Sequence, residues 1–134
     1  MDDLIKNSDY SEIYKELKAL LKNSYAPYSE FNVAAAVETE DNRYFYGVNV
    51  ENISYSLTMC AERIAIFNAV VNGYKKFKRV FILSTSAKPT PPCGACRQVI
   101  SEFEGNPDII MFTGEGKYYE KKNITELLPL KFDF

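Results

Sequence analysis

Residues 60–84 read CAERIAIFNAVVNGYKKFKRVFILS, and they indicate the class of fold more clearly than any other segment. The first half of this stretch predicts a helix from about Met59 to Asn72 that ends at Gly73, because glycine commonly follows the last residue of a helix. The run from Ile64 to Val71 is apolar nearly all round, which indicates a deeply buried helix. The continuous apolar run from Val80 to Leu83 indicates a strand that is covered on both faces. A buried helix that leads into a buried strand is typical of an α/β fold.

The sequence on either side of this stretch extends the alternation of helices and strands. Apolar spacing and turn residues predict, in chain order, a helix over Ser8–Ser24, strands over Phe31–Val37 and Tyr44–Val50, a helix over Gly94–Phe103, strands over Ile109–Phe112 and Lys117–Glu120, and a short helix that Asn123 and Glu126 open as a capping box. We therefore predict an α/β fold with three layers, α/β/α, around a mixed, mainly parallel five-stranded sheet with right-handed crossovers.

Length and composition restrict the class of protein. The 134 residues suit one domain, which we expect to span residues 1–134, and the 46% of hydrophobic residues can form a core. The net charge of −2 argues against a nucleic-acid partner, because such proteins usually carry a basic surplus. No apolar run approaches the roughly 18 residues of a membrane span, and the polar, acidic N-terminus is unlike a targeting leader. We expect a cytoplasmic protein with no membrane partner.

The chain contains three cysteines and no histidine. An odd number of cysteines does not indicate a disulfide framework. The absence of histidine excludes a histidine ligand, a histidine general base and a histidine-containing nucleophilic triad. Proton chemistry near neutral pH must therefore use a carboxylate, a lysine, a tyrosine, a thiol or a metal-bound water.

All three cysteines lie at the starts of predicted helices. Cys60 opens one helix, and Cys93 and Cys96 share a face in the first turn of the next, since residues three apart are neighbours on a helix. Helix N-termini lower thiol pKa values and so favour thiolate ligands. Three protein ligands leave the fourth position of zinc open, which is the catalytic arrangement, and the chain has no further cysteine to close it. We predict one catalytic Zn²⁺ per chain.

Glu62 is the predicted proton carrier of this site. Residues two apart diverge in mid-helix, so Cys60 and Glu62 converge only if the metal lies beyond the helix end. A carboxylate there can move protons between a substrate nitrogen and the water that zinc activates. Three thiolates give the site a formal charge of −1 with Zn²⁺, and Arg63 is the candidate that offsets it, with Arg97 as a second candidate.

The segments Cys60–Arg63 and Pro92–Arg97 resemble the cytidine deaminase family, and within it the small single-domain form with three cysteine ligands. The resemblance spans about Tyr10 to Phe132. It also includes Ala26–Ser29, Phe31-x-Val33, Gly47–Asn52, Ser54–Tyr55 and Leu127–Pro129. The Asn-Val-Glu-Asn segment is the discriminating one, because deaminases of nucleotides and nucleic acids share the metal motif but usually lack this segment. The family usually has glycine where this chain has Ala34, Ser56 and Leu130.

The resemblance implies a zinc enzyme that hydrolytically deaminates cytidine and deoxycytidine to uridine and deoxyuridine with release of ammonia, in pyrimidine salvage. It also implies a homotetramer whose subunits share sites. It assigns Cys60, Cys93 and Cys96 to the metal, and Glu62 to proton transfer and base binding. Its other assignments are Asn49 and Glu51 to the ribose 3′-hydroxyl, Phe31 to the base pocket, the Ala61 backbone to the pyrimidine edge, and Phe132 to the base bound by a neighbouring subunit. Tyr55 is a further candidate for substrate binding, with two interpretations open: it contacts the neighbouring site, or it simply packs.

Other interpretations stay open. Phe31 alternates with Val33 and would be a core residue in most strands of this type, and Asn49 and Glu51 end a strand, where polar residues often face water. A deaminase of a modified cytosine nucleoside such as blasticidin shares the three-cysteine motif. A nucleic-acid-editing deaminase is opposed by the net charge. A structural zinc protein is opposed by the open coordination position.

Overall fold

The computed structural model describes residues 1–6 and 8–134 and has three layers. The strands are β1 Asp2–Asp3, β2 Val33–Thr39, β3 Tyr44–Val48, β4 Phe77–Ser84, β5 Asp108–Phe112 and β6 Tyr118–Asn123; the helices are α1 Ser8–Leu20, α2 Ala61–Val71, α3 Gly94–Glu102 and α4 Ile124–Leu127. Single 3₁₀ turns lie at Leu4–Lys6, Leu21–Asn23 and Tyr55–Leu57. Within these ranges no helix has both the length and the apolar character to cross a membrane.

The sheet is mixed, with the strand order β1-β6-β5-β4-β2-β3. Among the described residues, β4 and β5 are the one parallel pair, and the other neighbouring strands are antiparallel. The predicted mixed three-layer fold is confirmed, but the sheet is not mainly parallel. The crossover through α2 does join two strands of the same direction, β3 and β4, as expected. However, β2 lies between them and is antiparallel to both.

The sheet has six strands in the described chain rather than the five that were predicted. The additional strand is β1, which pairs Asp2 with Tyr119 and Asp3 with Tyr118 at the edge of β6. Two residues at a chain end carry no alternation, so the sequence pattern could not indicate this strand. The short last helix has the predicted capping box between Asn123 and Glu126.

Both faces of the sheet are covered by helices. On one face, Val33, Ala35 and Val37 of β2 pack in a cluster with residues of α2, α3 and α4. On the other face, Ala34 and Ala36 pack with residues of α1. Every residue of β2 is buried, because alternate side chains enter the two cores.

Gly47 of β3 sets how closely α2 approaches the sheet. A Cβ atom at this position would lie 2.4 Å from the backbone oxygen of Ala61 and 2.6 Å from the backbone nitrogen of Ala65. Only glycine allows this contact without a shift of the helix. The first turn of α2, which carries the candidate site, is thereby seated directly on β3.

The apolar helix α2 is only partly buried. Ala65, Ile66 and Ala69 face the sheet and are fully buried, whereas Phe67 is 42% and Val71 is 83% exposed. The prediction that the whole run from Ile64 to Val71 is deeply buried is therefore wrong for the single chain. The helix has a second apolar face that its own chain leaves uncovered.

Candidate metal centre and active site

The three cysteine sulfurs lie together where the N-termini of α2 and α3 meet. Cys60 is the N-cap of α2, Cys93 is the N-cap of α3, and Cys96 lies in the first turn of α3. Each helix follows the end of a strand, and these strands, β3 and β4, run in the same direction. The two helix N-termini therefore come to the same edge of the sheet, as ligand-binding segments do in open α/β folds.

The spacing of the sulfurs fits zinc. All three Sγ atoms lie within 4.8 Å of one another, and those of Cys60 and Cys93 are 3.8 Å apart. Zn–S bonds of about 2.3 Å in a tetrahedron place sulfurs about 3.8 Å apart, so little movement is needed to bind the ion. The soft donor set also suits this metal. The predicted ligands Cys60, Cys93 and Cys96 are thus brought together.

Arg63 faces the sulfurs and Arg97 does not. The Arg63 Nη2 donates to the Cys60 sulfur at 3.3 Å. In the described chain the buried Arg63 Nε has no hydrogen-bond partner. Arg97 instead donates from Nε to the Pro92 oxygen at 2.8 Å and from Nη1 to the Leu127 oxygen at 3.0 Å. The expectation that Arg63 offsets the thiolate charge therefore has a structural basis, and the second candidate, Arg97, has another role.

The pKa values of two of the three thiols are shifted in opposite directions. The pKa of Cys60 is lowered to about 5 because Cys96 donates a hydrogen bond to its sulfur and because Arg63 adds a second donor and a positive charge. The pKa of Cys96 is raised because it is the donor to Cys60 and because it is buried. Zinc binding must displace the remaining protons, so the apparent zinc affinity depends on pH.

Glu62 lies in the first turn of α2 and is 5% exposed. Burial raises the pKa of its carboxyl group, and a hydrogen bond from its own backbone N–H acts in the opposite sense. Helix α2 begins at Ala61, so Cys60 and Glu62 both lie at its N-terminal end. Only at a helix end can these two side chains converge on one metal site. Glu62 lines the same cavity as Cys60 and Cys93.

This inner cavity has a volume of about 170 Å³. Among the residues predicted from the sequence, Phe31, Asn49, Ala61 and Glu62 line it together with Cys60 and Cys93. Sequence reasoning took Val33 as a strand residue only, and it missed four more lining residues, Thr58, Met59, Thr90 and Pro91. Their position directly before the cysteine motifs is the one signal that could have indicated them.

A second, outer cavity of about 270 Å³ adjoins the first, because Thr58 lines both. Glu51 lies in it and accepts hydrogen bonds from the backbone N–H groups of Tyr28 at 3.0 Å and Ser29 at 3.1 Å. The Ser29 hydroxyl donates to the same carboxylate and is the main cause of the lowered pKa of Glu51. Glu51 is therefore a fixed anion in the outer cavity.

Asn49 has a second role that its position in the sequence did not indicate. Its Nδ2 donates to the Phe31 oxygen at 2.7 Å, and its Oδ1 accepts from the Val33 N–H at 2.9 Å. The side chain thereby fixes the backbone that carries Phe31 into the cavity. One N–H of the amide remains for a ligand, since an NH₂ group has two donors.

Tyr55 and Phe132 do not reach the inner cavity of their own chain. Tyr55 is 71% exposed, lines the outer cavity and contacts Tyr28 edge-on, with ring centroids 5.9 Å apart. Phe132 is also 71% exposed and contacts only the Phe134 ring among the aromatic rings described. The assignment of Phe132 to the base bound by a neighbouring subunit stays a prediction, and both interpretations of Tyr55 stay open.

The fold and the open three-sulfur centre define a class, the zinc-dependent deaminases with a helix-borne carboxylate. The family model for the cytidine and deoxycytidylate deaminase zinc-binding region matches residues 7–113. The chain belongs to the cytidine and deoxycytidylate deaminase family, and it is a zinc-dependent hydrolase.

The relatives agree with this assignment over nearly the whole chain. A cytidine deaminase of Sporosarcina psychrophila is 40% identical over 92% of this chain and 91% of its own length. The crystal structure of cytidine deaminase from Burkholderia pseudomallei matches with a TM-score of 0.82 and 39% identity, covering 88% of this chain and 94% of that one. A blasticidin-S deaminase of Bacillus cereus is 32% identical over 78% of this chain and 79% of its own length.

Proposed function

We propose that the protein deaminates free cytidine and deoxycytidine hydrolytically to uridine and deoxyuridine, with release of ammonia. The observation that carries this proposal is that Glu62 lines one cavity with Cys60 and Cys93, two of the three clustered cysteines. The inner and outer cavities together fall within the range of roughly 300–1,000 Å³ that small-molecule sites occupy. We propose that the reaction serves pyrimidine salvage in the cytoplasm, which is the role that the resemblance to the cytidine deaminase family implies.

In this proposal the base enters the inner cavity and Glu62 moves the protons. Zinc held by the three thiolates supplies an activated water near neutral pH. Glu62 accepts a proton from the attacking water, whose oxygen bonds to C4 of the base, and passes this proton to the ring nitrogen N3. It then takes the remaining proton of the new C4 hydroxyl group and passes it to the amino group. The C4–N bond breaks, ammonia leaves and a carbonyl group remains at C4.

The walls of the inner cavity suit a flat, largely apolar ring. Phe31 offers an aromatic face, and the Asn49 amide holds the Phe31 backbone in place. Ala61 lies at the first turn of α2, where backbone N–H groups are free of helical partners and can meet the polar edge of a pyrimidine. These contacts support the assignment of Phe31, Asn49 and Ala61 to substrate binding.

The sugar is proposed to lie in the outer cavity against Glu51. Because the hydrogen bonds from Tyr28 and Ser29 keep this carboxylate anionic, it suits a hydroxyl group and repels a phosphate.

We therefore expect cytidine monophosphate to be turned over at least about tenfold less efficiently than cytidine, as the ratio of kcat/KM values. Steady-state absorbance assays with both substrates measure this ratio. The variant Glu51→Gln removes the negative charge and keeps nearly the same side-chain shape. It should therefore reduce the ratio of the kcat/KM value for cytidine to that for cytidine monophosphate. Equal turnover of both by the unaltered enzyme would show that the role given to Glu51 is wrong.

Two other substrates distinguish the proposal from its alternatives. Blasticidin S is the first of them, because the blasticidin-S deaminase of Bacillus cereus is 32% identical over 78% of this chain. A panel of cytidine, deoxycytidine, blasticidin S and single-stranded DNA, followed by the absorbance change on loss of the amino group, tests the proposal directly. We expect turnover of the two nucleosides. If only blasticidin S or only DNA were deaminated, the proposed function would be wrong, and the protein would be a deaminase of that substrate.

We also propose that the protein is a homotetramer with sites completed between subunits. The single chain leaves an unusual number of large apolar side chains exposed: Ile53, Tyr55, Leu57, Phe67, Val71 and Phe132. Closed symmetric assembly is the usual way to cover such surface. Light scattering should give about four times the chain mass of 15.3 kDa. A fully active monomer would refute the proposal.

Phe132 is proposed to stack on the base bound by a neighbouring subunit. Base–aromatic stacking contributes about 1–3 kcal/mol, so Phe132→Leu should raise the KM for cytidine roughly tenfold or more. Tyr118→Leu is the control, because Tyr118 is also an exposed aromatic residue but lies on β6, away from the C-terminal segment. An unchanged KM in Phe132→Leu, or an equal effect of both variants, would show that Phe132 does not reach a site.

A further inference from the structure

Arg97 links the metal centre to the C-terminal segment. Its guanidinium group is half-buried and donates two hydrogen bonds to backbone oxygens that lie far apart in the chain. One acceptor is Pro92, directly before the metal ligand Cys93. The other is Leu127, the last residue of α4.

Arg97 also contacts the chain on the other side of Cys93. Its backbone N–H donates to the Cys93 oxygen at 3.0 Å, while its side chain holds the Pro92 oxygen at 2.8 Å. The carbonyl groups before and within Cys93 are therefore both fixed by this one residue. The two groups together set the direction in which the Cys93 side chain leaves the backbone.

Cys93 is the ligand that depends most on such support. Cys96 is fully buried within α3, and Cys60 is half-buried and hydrogen-bonded to Arg63. Cys93 is exposed, and among the described residues its sulfur contacts the other two cysteine side chains and accepts a hydrogen bond of 3.5 Å from the Cys96 N–H. Side-chain packing thus does little to hold this sulfur, and its position follows from the backbone.

We propose that Arg97 is a positioning residue for the metal centre, which holds the ligand Cys93 in the geometry for zinc by tying the Pro92 carbonyl to the end of α4. The planar guanidinium group of arginine has N–H donors that point in different directions and can bind two separate carbonyl groups. The ammonium group of lysine has its donors on a single nitrogen atom and is less suited to bridge them. Groups that orient metal ligands typically contribute 10–100-fold to metal affinity. The link also makes the position of α4, from which the C-terminal residues depart, part of the support of the metal site.

The test is the zinc affinity of the purified protein, measured by competition with a chromophoric chelator. We expect Arg97→Gln and Arg97→Lys to bind Zn²⁺ 10–100-fold more weakly than the unaltered chain. Arg97→Lys keeps the charge and the aliphatic stem, so it preserves the test if the glutamine variant does not fold. Arg43→Gln is the matched control, because Arg43 bonds to Tyr74 and packs on aromatic rings away from the cysteines.

A Co²⁺-substituted sample gives a second readout. The sulfur-to-metal charge-transfer bands should change in energy or intensity in the Arg97 variants and stay unchanged in Arg43→Gln. A loss of zinc affinity smaller than tenfold in Arg97→Lys, or an equal loss in the Arg43 control, would overturn the proposal. No nucleoside is present in either measurement, so the result is independent of the proposed substrate.

Discussion

Replacing Glu62 by glutamine is expected to remove nearly all turnover of cytidine while zinc and fold are retained. Glutamine has nearly the same shape, but it cannot accept a proton from the attacking water or pass one to the base. General acid–base groups contribute about 10²–10⁴-fold to a rate, and a residue that serves several proton transfers should reach or exceed the upper end. The measurement is kcat from the absorbance assay, with zinc content and circular dichroism on the same sample.

The control for this substitution is Glu16→Gln, which alters an exposed carboxylate on α1, on the opposite face of the sheet. It should turn over cytidine like the unaltered enzyme. If Glu62→Gln retained normal turnover with a full complement of zinc, Glu62 would have no part in the mechanism.

Replacing Cys96 by alanine is expected to abolish both zinc binding and activity. Cys96 is fully buried, and its loss leaves two thiolates, one of them exposed, to hold the ion. Because metal binding stabilises only the folded chain, the variant should also melt at a lower temperature than the zinc-loaded enzyme. Elemental analysis, the cytidine assay and thermal unfolding measure the three effects.

Gln98→Ala is a suitable control, because Gln98 lies on the same helix and is exposed. It should keep zinc, activity and melting temperature. A Cys96→Ala variant that retained one tightly bound zinc per chain would show that the metal is held by other groups.

The metal site could be predicted from the sequence because its parts are local. Cysteines three apart at a helix start share a face whatever the rest of the fold does, and a carboxylate two residues after Cys60 can join them only at a helix end. The structure has both features. Thr58 and Thr90 were missed because single polar residues in loops carry no periodic pattern.

Strand pairing could not be predicted in the same way. Apolar runs identify β2, β3 and β4, but they do not say that β2 inserts between β3 and β4, because pairing depends on contacts distant in the chain. The exposed face of α2 has a similar cause. An apolar pattern does not distinguish surface that a chain buries in its own core from surface that it leaves exposed, and α2 has both.

We propose that the zinc ion bound by the three cysteines is required for the deamination of cytidine. The most direct test removes the metal with a chelator, returns Zn²⁺ in known amounts and measures cytidine turnover and bound zinc in the same samples. We predict that turnover rises in proportion to bound zinc and stops rising at one ion per chain. Two results would contradict this proposal: full cytidine turnover after the metal is removed, or no turnover by a protein that binds one zinc ion per chain.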